Sequence, residues 1–467
     1  MRLTMGKIRA KTSLLVTVLL LFLCGGAHAA IDGLTGTSFS LTAKKGTINT
    51  PDSALMYIWG YASGGGTVQY PGPTLIVKQG DNVTVTLTNE LTEATSIVFP
   101  GQVVTATGGN VGLLTKEAPP DGTTVVTYTF TAGQPGTYTY YSGTHGEVQT
   151  QMGLFGALIV RPANYVEADP TTWTAYGTDS SAYDEEVLYL LSEMDFDFNQ
   201  AVGTGQPADP TTFLPTIWFI NGRAAPDTMA PANAAWLPTQ PYNCMPMAYP
   251  GERVLLRMVG GGIHSHPLHT HGNNFELIAR DGRLLDTAAA DPELIPGAAV
   301  FGTVPDLAVS NFTQTVSPGS TYDAVYIWTG QDLGWDPYGS ISTTCTDGNN
   351  DGLDDTTNLF CHDATCTDGN GDGFDDATFE HCAEHGVAIP VQLPAQQDLT
   401  FGQFYSGSPF LGSAVALPPG EGGFNPASGY FYMWHSHNEK ELTVNDIFPG
   451  GMMSMFLVVP YGTAKPQ

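Results

Sequence analysis

His266-Pro267-Leu268-His269-Thr270-His271-Gly272, read together with Trp434-His435-Ser436-His437, carries the most information in this chain. On a β-strand, residues i and i+2 point to the same face. His269 and His271 are therefore expected to project together, and so are His435 and His437. Two such pairs, remote in sequence, meet the requirement of an imidazole-ligated metal site. Imidazole suits copper and zinc, whereas calcium and magnesium take oxygen ligands. Ser436 points to the opposite face, where a hydroxyl is a poor ligand for a soft metal.

The surrounding chain reads as all-β. Val83, Val85 and Leu87 alternate with Thr84, Thr86 and Thr88, and the runs 128–131 and 137–141 are similar. The 55 glycines and 33 prolines supply frequent turns, and long amphipathic helical patterns are scarce. Residues 1–29 read as a signal peptide: basic Arg2, Lys7, Arg9 and Lys11, an apolar core from Leu14 to Leu23, then Ala27-His28-Ala29 for cleavage. No other apolar run is long enough to span a bilayer, so a secreted or periplasmic location is expected. Removing the four basic residues of that leader takes the formal charge from −29 to −33. Such acidity argues against nucleic acid and anionic membranes as partners.

The motifs resemble the copper signatures of the multicopper oxidases, secreted cupredoxin-fold enzymes that include the laccases. The family's third motif, His-Pro-x-His-x-His-Gly, matches 266–272 in full. Its fourth, His-Cys-His followed by a further histidine and a Gly-Met or Gly-Leu, corresponds to His435-Ser436-His437 through Glu441 and on to Gly451-Met452. Pro71-Gly72-Pro73, Gly80-Asp81, Leu87-Thr88-Asn89, Gly136-Thr137-Tyr138 and Gly153-Leu154-Phe155-Gly156 fall in the family's usual order. The resemblance implies tandem cupredoxin-like Greek-key β-sandwich domains. The expected division is 30–163 for the first domain, 164–184 for a polar linker and 185–467 for the second. Two-domain members commonly form trimers with copper between subunits, so a homotrimer is implied.

The departures bear on function. Val98 and Pro100 stand where the family has its first pair of histidines, and Tyr141 and Gly143 where it has its second; His145 lies two residues on. At the blue (type 1) copper site, Ser436 replaces the cysteine and Glu441 the second histidine, leaving His266 and Met452 as a vestigial pocket. A blue centre needs its thiolate. The residual ligand set is His269, His271, His435 and His437. The alternative is a relict site whose histidines hydrogen-bond to one another, to carboxylates or to water. Cys244, near Met245 and Met247, reads as core packing.

An acidic insert, 345–382, repeats with period 21, each copy reading D-x-N-x-D-G-x-x-D between cysteines. Oxygen ligands at alternate positions and a glycine at the sixth suit a calcium loop. The candidates are Asp347, Asn349, Asp351 and Asp355, then Asp368, Asn370, Asp372 and Asp376. The twelfth position, Asn358 or Phe379, lacks the EF-hand glutamate, and the pattern resembles thrombospondin type 3 repeats. Equal cysteine spacing suggests Cys345–Cys361 and Cys366–Cys382 disulfides, with other pairings open.

Three functions stay open on this reading. The first is an exported copper-binding protein with a reduced histidine-rich site and no blue centre, distinct from a conventional laccase. The second is a copper-dependent oxidoreductase using the residual site, served directly or by a redox partner protein. The third is a metal-free structural or adhesive surface protein with a calcium-binding insert.

Overall fold

Alternation sets the strands. In Asn82–Asn89, Val83, Val85 and Leu87 are buried while the intervening threonines stay half-exposed. That strand runs parallel to Ser38–Asn49 and antiparallel to Val126–Thr131, within a six-stranded sheet. A four-stranded sheet faces it, where Leu75–Lys78 pairs in parallel with Phe155–Arg161. Aromatic and aliphatic side chains from both sheets, among them Phe39, Tyr61, Val85, Tyr128 and Leu158, form one core.

The computed structural model describes residues 31–287, 304–334, 365–376, 380–387, 407–408 and 430–459, with positions 336, 346, 348 and 465. The leader 1–29 lies outside the described residues, as do Cys345, Asp347, Asn349, Asp351, Asp355 and Cys361 of the first insert copy.

A second sandwich repeats the plan of the first. Its seven-stranded sheet pairs Glu185–Met194 in parallel with Arg253–Gly260, and its six-stranded sheet centres on Tyr430–Ser436. Tyr189, Leu256, Leu268, Tyr326, Trp434 and Phe456 fill the space between them. Neighbouring strands distant in sequence, in both sandwiches, give the crossovers of a tandem cupredoxin-like all-β fold. The few helices are short, and among the described residues none is long and apolar enough to cross a membrane.

The two sandwiches share apolar surface. Ile58, Tyr70 and Phe155 of the first meet Leu190, Ile217 and Phe219 of the second in a common cluster. The connecting residues 164–184 are polar in composition yet packed. Tyr165, Trp173, Ala175 and Tyr183 bury themselves against Leu255, Ile278 and Val325. In the insert, Cys366 and Cys382 are disulfide-bonded, as their spacing suggests.

Candidate metal centre

The strand His266–Thr270 lies between Tyr430–Ser436 and Thr313–Val316, antiparallel to both. Register does the decisive work. His269 stands directly opposite His435, and Leu268 opposite Ser436. Directly opposed residues in an antiparallel pair share a face. The two-residue period then adds His271 and His437 to that face and assigns His266, Leu268, Trp434 and Ser436 to the other. Two distinct sites therefore sit back to back on one strand pair.

On the first face, ring centroids of His269, His271 and His435 are 5.0–5.3 Å apart. One ring nitrogen from each lies within 4.8 Å of the others, close enough for a single ion. His435 Nε2 faces His271 Nε2 at 3.1 Å. His437 stands at the rim, exposed, its ring 4.6 Å from that of His269. The three inner histidines are buried.

Hydrogen bonds orient the rings. His435 Nδ1 donates to the Ser436 carbonyl at 2.7 Å, which leaves its Nε2 lone pair for a ligand. His269 Nδ1 is engaged by the Thr313 hydroxyl at 2.7 Å. Such outer partners fix the tautomer of a ligating imidazole. Burial and the neighbouring His271, His435 and His437 push His269 down to about 3. Burial likewise lowers His435. Both imidazoles are neutral at physiological pH, the form that binds a metal. Donor type, spacing and protonation thus fit copper.

The opposite face holds something else. His266 is fully buried between two carboxylates, with Nε2 2.8 Å from Glu193 Oε2 and Nδ1 2.9 Å from Glu441 Oε2. Ser436 Oγ donates to the same Glu441 oxygen at 2.5 Å, and Asn438 Nδ2 donates to the other at 3.0 Å. Burial alone would depress His266, but the hydrogen bonds and charges of Glu193 and Glu441 outweigh it and raise it to about 9. An imidazolium therefore lies among Glu193, Glu441 and Ser436, while Met452 joins them through its backbone, accepting from the Ser436 N–H at 2.9 Å, with its side chain in the core. Both of its ring nitrogens are committed to carboxylates.

Glu193 was invisible to motif reading. It also accepts backbone N–H bonds from Ile263 and His264, at 2.7 and 2.9 Å. One signal was present: an acidic residue inside the apolar run 187–194, on a strand buried along its whole length. Charged residues in such runs are rarely buried without a partner.

The first-domain positions meet each other rather than the imidazoles. Val98 and Tyr141 exchange backbone hydrogen bonds at 2.9 and 3.2 Å. A Cβ at Gly143 would lie 2.8 Å from Val98 Cγ1. His145 is exposed, its Nδ1 3.7 Å from Glu93, and belongs to no metal-sized cluster among the described residues. The Cys244 thiol is buried, donates to the Ile220 carbonyl at 3.1 Å, and is pushed up to about 12 by burial. That is a packing role. In the second insert copy, Asp368 accepts from the N–H groups of Gly371, Asp372 and Gly373, and Asp372 from that of Phe374. Asn370 Nδ2 donates to Asp372 at 3.0 Å and Gly369 N–H to Asp376 at 2.9 Å, so the four residues form one tight acidic loop.

Fold and histidine cluster define a cupredoxin protein with a metal-sized imidazole site. Residues 44–165 match the multicopper oxidase family model. That match covers most of the first sandwich, and the fold of the chain is cupredoxin-like. It is 27% identical over 303 residues to a copper resistance protein A homolog of Pseudomonas syringae pv. tomato, covering 60% of this chain and 49% of that one. It is also 27% identical over 302 residues to copper resistance protein A of Escherichia coli, covering 58% and 46%. The chain thus spans about half the length of these curated relatives. A blue copper oxidase from Nitrosomonas europaea shares the fold, with a TM-score of 0.50 and 17% identity over 90% of this chain and 85% of that one.

Proposed function

We propose that this chain is an exported copper-binding protein of the multicopper oxidase type, with a reduced imidazole site and no blue copper centre. His269, His271 and His435 would hold the ion, with His437 at the open rim. The observation that carries this reading is the convergence of three buried ring nitrogens within 4.8 Å of one another. Bound there, copper would supply a one-electron redox centre. The chain's own contribution is to keep His269 and His435 neutral and oriented, and the inner rings shielded. The imidazolium clamp at His266 supports the absence of a blue centre, because Ser436 offers no thiolate and both His266 nitrogens are engaged.

Loading the purified chain with copper is the test. Bound copper without an intense blue thiolate absorption is expected, and a His269→Ala with His435→Ala variant should lose it. A strong blue band, or unchanged copper content in that variant, would refute the assignment.

The exposed rim at His437 favours a second activity for the same site, in which electrons reach the copper from a small substrate or a redox partner protein. Turnover of a phenol or a reduced metal ion under oxygen would separate catalysis from storage. Division into 30–163, 164–184 and 185–467, and assembly as a homotrimer, belong to the same proposal. Sedimentation of the copper-loaded chain checks the assembly.

Calcium is proposed for the insert, held in the second copy by Asp368, Asn370, Asp372 and Asp376, where Gly373 takes a φ of +92° at the sharp turn. Chelating calcium is expected to speed protease nicking of 345–382 while both sandwiches stay folded. Nicking indifferent to the chelator would count against calcium.

A further inference from the structure

A second mixed cluster of ligand-type side chains lies where the insert rejoins the second sandwich. Asp336, Glu380 and His385 each present one donor atom within 4.8 Å of the other two. Asp336 and Glu380 are fully buried, and the His385 side chain is only 10% exposed. His385 Nδ1 lies 2.9 Å from Glu380 Oε1.

The backbone holds these three residues in place. Asp336 follows Trp328 and Leu333, which are anchored in the second sandwich's core. Its N–H donates to the Val387 carbonyl at 2.8 Å, and its Oδ2 accepts from the Gly386 N–H at 3.0 Å. Glu380 and His385 flank Cys382, whose disulfide to Cys366 closes the acidic loop. The Glu380 carbonyl accepts from the Asp375 N–H at 2.8 Å, and the Cys382 N–H donates to Gly373 at 2.9 Å. One ligand therefore follows the sandwich core, and the other two flank the cysteine that closes the insert.

Composition sharpens the case. Between Arg283 and Lys440 the sequence contains no lysine or arginine, although aspartate and glutamate recur throughout. Histidine is the only cationic side chain in that stretch. A divalent ion matches two carboxylates and an imidazole in both charge and ligand type. The imidazole also decides the class of ion: calcium and magnesium take oxygen, whereas zinc accepts histidine and carboxylate together.

We propose that Asp336, Glu380 and His385 form a structural site for a zinc-class divalent cation that pins the disulfide-closed insert to the second sandwich. Zinc–ligand bonds of about 2.0–2.2 Å place tetrahedral donors roughly 3.3 Å apart, inside the span seen here. The site is separate from the imidazole cluster and from the acidic calcium-type loop, and it does not depend on copper binding.

The experiment uses the full chain with disulfides intact and zinc ions alone as the probe. The background variant is His269→Ala with His435→Ala, which removes the competing imidazoles, and excess calcium saturates the acidic loops. A single zinc ion per chain is expected. Asp336→Asn, which keeps the acceptor for Gly386, and His385→Ala should each weaken it by roughly tenfold or more. His381→Ala, whose ring pairs with Glu384 outside the cluster, should retain it. In the background variant, zinc should also slow chymotrypsin cleavage of the insert; trypsin has no site there. Failure of the background variant to bind zinc overturns the proposal. So does an affinity equal in Asp336→Asn, His385→Ala and their parent, or cleavage indifferent to zinc.

Discussion

His266 shows how a single side chain decides what a pocket is for. Enclosed by Glu193 and Glu441, its imidazolium neutralises a buried pair of carboxylates that would otherwise be severely destabilising. Its raised value gives a pH dependence with a definite sign. In the unfolded chain the imidazole titrates near 6.5, and in the folded chain at about 9. The stabilisation is complete below the lower value and is lost as pH rises through the higher one. It amounts to about 3 kcal/mol. Urea midpoints measured from pH 6 to 10 should therefore fall more steeply for the parent than for His266→Ala. The variant itself should be less stable by about 3–5 kcal/mol at pH 6, since it strands two buried carboxylates. Equal pH slopes in the two proteins would mean that His266 is neutral when folded.

The strand pair His266–Thr270 with Tyr430–Ser436 is the element that turns local pattern into a site. Both His-x-His pairs were legible in the sequence because a strand's period of two is a local property. Their mutual register was not, because opposing His269 to His435 depends on the whole sheet. Glu193 escaped for the same reason: it reaches His266 across 73 residues of sequence. The polar connection 164–184 likewise concealed Tyr165, Trp173 and Tyr183, whose burial depends on a neighbouring sheet. Gly272 closes the element. It turns the chain with φ +96°, and a Cβ there would lie 2.3 Å from the Tyr326 hydroxyl, which itself donates to the His271 carbonyl at 3.1 Å. Gly272→Ala should cost about 1–3 kcal/mol, from the left-handed backbone alone. Displacing the adjacent His271 should also weaken copper binding. Denaturant midpoints and copper competition check the two effects, and a variant unchanged in both would show that the turn is not needed.

At the scale of the whole molecule, a buried charge network joins the two sandwiches. Arg161 and Thr137 come from the first; Glu186, Arg257 and Asp323 come from the second. Arg161 Nη1 donates to Glu186 Oε2 at 2.7 Å and Arg257 Nε to the same oxygen at 3.0 Å. Arg257 Nη1 reaches Thr137 Oγ1 at 3.0 Å, and that hydroxyl donates to Asp323 at 2.5 Å. Burial pushes Glu186 up, but the two guanidinium groups outweigh it and hold its carboxyl below the usual range. Removing one member of such a network leaves the others buried and uncompensated, which typically costs about 3–5 kcal/mol. Glu186→Leu, which strips Arg161 of its carboxylate and leaves Arg257 with Asp323 alone at 3.7 Å, should lower stability by that amount. Because the network and the shared apolar cluster span both sandwiches, the parent should unfold in a single calorimetric transition, and the variant should lose that cooperativity first. The imidazole cluster lies wholly within the second sandwich, so copper content of the folded variant should be unchanged. Two separate transitions already present in the parent, with Glu186→Leu moving only one, would show that the sandwiches are stable independently and that the network serves one of them alone.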